Sequence, residues 1–445
     1  MLNSDAYLEL AQSVVGDALT AGATQCEVGI SVGDRFSVEA RDKTVTKLEQ
    51  SKGKSMHVRV YVQGRRASLS TSDFDRSELG DALERLVDGA KYVAEDEHAG
   101  LPDPQADATA LDLNIYSDAI ARWDPHEKLE EALCLERIIR ETDPRIQNSN
   151  GAHVSDAVTT TILANSNGFA GRYQTTRASR SVSPVALDGE AKRTGSYGTA
   201  ARHLHELESV ESVARNAVKR TVELFGARKP NTMRVPVIFE RDVAAGIFMD
   251  VFTALSGANV AVANSWAADR LGETVGSNLA TIIDDGRLAG ALGTSPFDGE
   301  GVPTRKTVAF DRGVLRSFLL DSYYARRLGM QTTANSSGGG IGPNNFYLQN
   351  GDGTLDDLIA KTKRGVLVLD TIGFATEYAT GTYSRGARGF YIEDGALAYP
   401  IEEFTIASTF PEMLAGIDAV AGDLRFDSAI VSPSFRVAEM TVSGN

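Results

Sequence analysis

The imidazoles of this 445-residue chain are His57, His98, His126, His153, His203 and His205, and the thiols are Cys26 and Cys134. No histidine follows position 205 and no cysteine follows position 134. A zinc site draws on His, Cys and carboxylate ligands in combination. A Ser-His-Asp triad needs an imidazole base. Neither can be assembled within the last 240 residues. His203-Leu204-His205-Glu206 places a histidine beside a glutamate, but H-E-x-x-H would need histidine where Ser209 stands. His126-Glu127 fails the same way, because position 130 is Glu130. The pair at 203 and 205 therefore reads as surface histidines before a helix. His57, in a valine-rich strand, reads as a satisfied structural histidine.

Other groups offer less. Ser384 lies in Gly381-Thr382-Tyr383-Ser384-Arg385-Gly386, which lacks the glycine at 382 that G-x-S-x-G requires. Ser336 to Asn345 is the most glycine-dense loop, with Gly338, Gly339, Gly340 and Gly342. It has neither the Gly-Lys-Ser/Thr ending of a phosphate loop nor G-x-G-x-x-G. It is either a flexible surface loop or a place where a ligand backbone approaches closely. Arg385-Gly386-Ala387-Arg388-Gly389 could grip a carboxylate or form an exposed turn. Asp284-Asp285 and Glu402-Glu403 are sequence neighbours, so on a strand their side chains face opposite ways. Each doublet reads as a solvated face.

The elements that must position these groups follow from periodicity. Tyr7, Leu8, Leu10, Ala11, Val14, Val15, Ala18 and Leu19 have helical spacing. Cys26, Val28, Ile30 and Val32 alternate with more polar residues, as do Met56, Val58, Val60 and Val62, which predicts half-buried strands. A second amphipathic helix holds Leu79, Leu83, Leu86, Val87 and Ala90. Residues 100–107 have linker composition. A helix is predicted from about Pro125 to Thr142, a polar strand-rich stretch over 150–200, and a helix over about 207–225. Beyond Lys229-Pro230-Asn231 come a strand at 235–239, a helix at 242–255, and a meander at 365–407. Turns recur at Asp285-Gly286, Asp311-Arg312-Gly313 and Asp394-Gly395. The expected class is α+β in three parts. Residues 1–105 form an N-terminal antiparallel sheet with helices, and residues 110–228 a mixed helical and strand segment. Residues 230–445 form a β-rich sandwich or barrel-like domain.

Composition sets outer bounds. Hydrophobic residues at 42% and charged residues at 24% are ordinary globular values. A net charge of −15 argues against a protein dedicated to nucleic-acid backbones, which are bound by Lys and Arg. Two cysteines make no disulfide framework, and no apolar run approaches a membrane span. The expected location is the cytoplasm, with no membrane association.

Several segments, in order, resemble the PmbA/TldD family and its TldE (PmbA) branch. They are Val58-Arg59-Val60-Tyr61, Asn165-Ser166-Asn167-Gly168, Ala245-Gly246-Ile247 with Leu255-Ser256-Gly257, and Thr382-Tyr383-Ser384-Arg385-Gly386-Ala387. Residues 399–407 and the ending Val437 to Gly444 complete the set. The resemblance implies a heterodimer in which a TldD-type metallopeptidase, with an H-E-x-x-x-H helix and a late cysteine ligand, pairs with a TldE-type subunit. Implied substrates are unfolded peptides, including microcin-type precursors. Aligned on Ala245-Gly246-Ile247, Asp250 stands at the first histidine, Val251 at the glutamate and Leu255 at the second histidine. The late cysteine falls close to Ile430.

The resemblance thus transfers no catalytic or metal-binding residue and no cofactor; zinc is expected in the partner subunit. The chain reads as the non-catalytic subunit of a cytoplasmic heterodimeric peptidase. Gly338, Gly339, Gly340, Arg385 and Arg388 are candidates for peptide contacts. The alternative is a stand-alone peptide-binding homodimer without hydrolysis. Some self-association of the isolated chain is expected under either.

Overall fold

The computed structural model describes residues 4–104, 112–373 and 376–444, so positions 105–107 of the expected linker lie outside it. Two long strands, Gln25–Arg41 and Thr44–Val62, pair antiparallel through a tight turn at Asp42 and Lys43, both at positive φ. Strand alternation sorts their side chains. Cys26, Val28, Ile30, Met56, Val58 and Val60 are buried together with the apolar sides of helices Ser4–Thr20 and Arg76–Ala90. Glu27, Gly29, Ser31, His57 and Arg59 fall on the opposite face.

The same sheet continues into the middle of the chain. Strand Gln25–Arg41 pairs along its other edge with Ile146–Asn165, from Glu27 opposite Asn165 to Ala40 opposite Ala152. Ala170–Asp188 follows, giving a seven-stranded antiparallel sheet. Its second half is covered by helices Pro125–Thr142 and Val210–Val222, whose buried Leu135, Ile139, Val213 and Ala217 meet Phe36, Val38 and Val154. Asp124 caps the first of these by accepting from the His126 amide at 2.7 Å, with Pro125 at the first helical position.

The carboxy-terminal part is a closed β-barrel with a smaller sheet beside it. Strands Met233–Phe239, Phe435–Ser443, Ala396–Thr409, Thr382–Glu393 and Arg364–Ile372 pair in that order. Arg364–Ile372 then pairs back onto Met233–Phe239 and closes the ring. The five-stranded second sheet contains Ile282–Asp285, Lys306–Asp311, Phe346–Leu348 and Ile430–Val431. Helix Arg241–Leu255 contributes Phe248 and Phe252 to the core between them; Phe248 lies 5.9 Å ring to ring from Phe435 and Phe252 5.5 Å from Phe346. The Asp311-Arg312-Gly313 and Asp394-Gly395 turns are tight hairpins with both central residues at positive φ. Asp285-Gly286 instead opens a long connection to its pairing strand.

The described part of the linker is fixed in place. Arg326 donates to the carbonyls of His98, Gly100 and Leu101 at 2.8, 2.7 and 3.1 Å, and Leu101 is buried. Arg326→Ala removes three charge-assisted bonds at once. It should accelerate limited proteolysis at residues 98–104 severalfold while leaving cleavage elsewhere unchanged. Equal cleavage rates at this segment in the two proteins would refute the clamp.

Candidate functional site

Two of the positions that the resemblance sets against metal ligands share a cavity. Asp250, on helix Arg241–Leu255, and Ile430, in the small sheet, line one cavity of about 760 Å³ between the middle-segment sheet and the barrel. Val251 and Leu255 are fully buried in the core. Asp250 is 5% exposed and held from three sides. Arg385 Nη2 donates to Oδ2 at 2.7 Å, Tyr378 donates its hydroxyl to Oδ1 at 3.1 Å, and Thr376 Oγ1 reaches Oδ2 at 3.4 Å. Burial pushes the Asp250 carboxyl above its ordinary range, and Arg385 pulls it partly back. These residues do not fit a catalytic zinc. The Asp250 carboxylate is occupied by a guanidinium, and the positions that the resemblance would set against the second histidine and the cysteine, Leu255 and Ile430, are apolar. Among the described residues no three His, Cys, Asp or Glu side chains converge as a metal site.

What lines this cavity instead is arginine. Arg177, Arg180, Arg241, Arg385 and Arg425 face it, with Asp242, Asp250 and Asp427. Arg180 is paired with Glu131 at 3.2 Å and Arg425 with Glu208 at 2.5 Å. Such a wall can hold carboxylates, and no histidine or cysteine lines it.

Arg385 and Arg388 lie on strand Thr382–Glu393, not on an exposed turn. Each binds a carboxylate of the protein itself: Arg385 takes Asp250, and Arg388 takes Asp370 at 2.5 Å. Arg388 lines a second cavity of about 670 Å³, with Asp370, Arg220 and Asp242. Gly338 and Gly339 line a third, of about 570 Å³, between the amino-terminal sheet and the carboxy-terminal domain; Gly340 sits at the turn beside it. The glycine-rich segment is a closed hairpin: Ser337 N donates to Gly340 O at 2.8 Å and Gly342 N to Asn335 O at 2.8 Å. Arg59 donates to the Gly338 carbonyl from the facing sheet. Gly338 and Gly339, Arg385, and Arg388 therefore line three separate cavities, and Gly340 lines none of the three.

The anchor of that hairpin is a residue read differently from sequence. Asp284 is not on a solvated face: it is fully buried and accepts from Asn335 Nδ2, Asn344 N and Asn344 Nδ2 at 2.7–2.9 Å. Burial pushes its carboxyl up to about 6, against the opposing hydrogen bonds from the two asparagines. Glu402 is half-buried in a bidentate pair with Arg193. His203 is likewise buried rather than superficial, with Nε2 3.0 Å from the Asn114 carbonyl oxygen. His57 lies on the face opposite the valines, with Nδ1 3.0 Å from Ser70 Oγ, and borders the cavity of Gly338.

The fold corresponds to a known class. Profiles of the PmbA/TldA metallopeptidase family match in chain order: domain 1 over residues 26–94, the central domain over 118–225 and the C-terminal domain over 232–444. The chain belongs to this PmbA/TldD family. Within it, the chain is 33% identical to the metalloprotease PmbA homolog of Haemophilus influenzae and 30% identical to metalloprotease PmbA of Escherichia coli O157:H7. In both cases the match covers 98% of this chain and 96% of the relative. A Bacteroides thetaiotaomicron crystal structure, whose name refers to modulation of DNA gyrase, superposes with a TM-score of 0.93 at 27% identity over all of both chains. TldE from Thermococcus kodakarensis shares the fold, with a TM-score of 0.89 at 22% identity over 98% of this chain and all of that one. No helix among the described residues is long and apolar enough to cross a membrane.

Proposed function

We propose that this chain is the non-catalytic subunit of a heterodimeric, cytoplasmic metallopeptidase of the TldD/TldE type. The zinc and the reacting groups belong to a TldD-type partner. This chain supplies wall and shape to the channel that takes unfolded peptides, microcin-type precursors among them. The observation that carries the reading is the Asp250–Arg385 ion pair where a metal-ligating helix would present histidine. A guanidinium on the carboxylate supplies the positive charge locally, so the helix keeps its place without a metal. The PmbA naming of relatives matched over nearly the whole chain supports the peptidase context.

The test is zinc content and cleavage of an unfolded peptide by the chain alone, by a TldD-type partner alone, and by the mixture. The chain alone should hold no stoichiometric zinc and cleave nothing, while the mixture should cleave at least tenfold faster than the partner. Zinc and cleavage by the chain alone, or no gain in the mixture, would overturn the reading.

A further inference from the structure

The cavity beside Gly338 has features that the peptidase reading does not use. One wall is the outer face of the amino-terminal sheet and the other is formed by loops of the carboxy-terminal domain. Six glycines border it: Gly29, Gly293, Gly299, Gly338, Gly339 and Gly342. The amides of Gly293, Gly299, Gly338 and Gly342 are bonded within the protein, so what the glycine wall offers a ligand backbone is close approach without side chains in the way. Apolar surface comes from Leu163, Tyr173 and Phe297, the last two edge to face at 5.0 Å. Pockets of this kind, mostly apolar with a few fixed polar groups, are the usual form of small-ligand sites.

The fixed polar group is Glu27. Its side chain is 4% exposed. Oε1 accepts from Arg59 Nη1 at 3.0 Å, while Oε2 is buried with no hydrogen-bond partner. A buried carboxylate oxygen left in that state is costly unless something donates to it. Further carboxylates crowd the surroundings, with Arg305 acting on Asp298, Arg59 on Glu300, and Arg59, Arg326 and Arg66 on Asp321. Asp298, Glu300 and Asp321 are each 7% exposed, and Glu300 raises the Glu27 carboxyl by repulsion. Asp298 accepts from the amides of Glu300, Val302 and Ser336, Glu300 from that of Ser322, and Asp321 from that of Tyr324. Arg59 is the cation bonded to Glu27, and its other nitrogen is committed to the Gly338 carbonyl.

We propose that this cavity binds the free amino terminus of a peptide that begins with an apolar residue. The α-ammonium donates to Glu27 Oε2. The first side chain lies against Leu163, Tyr173 and Phe297, and the main chain follows the glycine wall. A divalent metal is the poorer match, because the Asp298 oxygens are taken by backbone amides and the described residues offer no three convergent ligands. The choice of a peptide over another primary amine rests on the proposed role as a peptidase subunit. The charge and shape of the site do not.

The experiment uses the full chain alone, so its result is independent of any partner. Leucyl-alanyl-leucine amide, its N-acetyl form and leucinamide are titrated calorimetrically against the wild type, Glu27→Gln and Gly339→Val. The last variant adds bulk at an exposed edge of the cavity without a clash, because a Cβ at Gly339 meets no atom within 4 Å. The free-amine tripeptide should bind the wild type, with acetylation and Glu27→Gln each weakening it at least tenfold and Gly339→Val abolishing it. If Glu27→Gln fails to fold, the acetylated probe and Gly339→Val still decide. Equal binding of the acetylated peptide, no binding of the free one, or an unchanged affinity in Gly339→Val would overturn the site. Leucinamide binding as tightly as the tripeptide would overturn the peptide assignment. Loss of activity on mixing with a partner would leave these affinities untouched, so the two readings fail separately.

Discussion

Arg385→Met is expected to destabilise the protein by about 3–5 kcal/mol, because it strands a buried carboxylate. The side chains of the pair are 8% exposed at Asp250 and 15% at Arg385. Without the guanidinium, Asp250 keeps the Tyr378 hydroxyl at 3.1 Å and the more distant Thr376 hydroxyl at 3.4 Å. Burial already raises the Asp250 carboxyl, and Arg385 is the main force opposing that rise. In the variant the carboxyl moves further up and folding favours its neutral form. The deficit should therefore be larger at pH 8 than at pH 5, since a raised folded-state pKa stabilises at low pH and loses that contribution as pH rises. The double variant Asp250→Asn with Arg385→Met removes both charges and should recover most of the loss. Denaturant midpoints of the three proteins at both pH values check this. A single variant within 1 kcal/mol of wild type at pH 8, or a double variant no better than the single, would show that the pair does not hold the helix.

The pair also shows where sequence reasoning stopped. The lack of histidine and cysteine in the last 240 residues is a property of composition and can be read directly. That Asp250 meets Arg385, 135 positions later, depends on barrel closure, which no local pattern announces. Glu27 is a similar case. Alternation in Cys26, Val28 and Ile30 predicts that Glu27 faces away from the helices, as it does. That this polar face is then buried under another domain has no signature in the strand.

Elements fixed by local chemistry were legible. Helix Pro125–Thr142 forms over the span read from its apolar spacing, and the structure adds an Asp124 cap and a proline start that agree with it. The Arg312-Gly313 and Asp394-Gly395 turns need positive φ at both central positions, where Gly is favoured and the residues before it tolerate the strain. By contrast, strands Gln25–Arg41 and Thr44–Val62 run well beyond the segments with apolar alternation. Residues 41–55 are exposed, so no hydrophobic period marks them as strand. Pairing between the two strands holds them extended. A doublet of aspartates on a strand looks solvated on the sequence, and only Asn335 and Asn344, arriving from a distant loop, satisfy Asp284 in the core.

Between pH 5 and pH 8 the protein should lose stability, and Glu27→Gln should remove part of that loss. Burial, with repulsion from Glu300, pushes the Glu27 carboxyl from 4.5 up to about 7. Burial and the neighbouring Glu300 push Asp298 from 3.8 up to about 8. Both groups hold protons in the folded state that the unfolded chain releases. Their contribution is whole below the unfolded values and is lost as pH rises through the folded ones, over pH 4.5–7 for Glu27 and 3.8–8 for Asp298. At about 1.4 kcal/mol per unit, the Glu27 share is of order 3 kcal/mol. Carboxyls held low, such as Asp143 beside Arg145 and Glu412 at its helix cap, act below this window and do not mask it. His57, pushed down by burial and Arg59, works in the opposite sense within it, so the comparison with Glu27→Gln isolates the glutamate. Thermal midpoints at pH 5, 6, 7 and 8 should fall more steeply in the wild type than in Glu27→Gln, with the curves diverging most below pH 7. Parallel curves would mean that Glu27 is ionised throughout, its charge met by Arg59 alone.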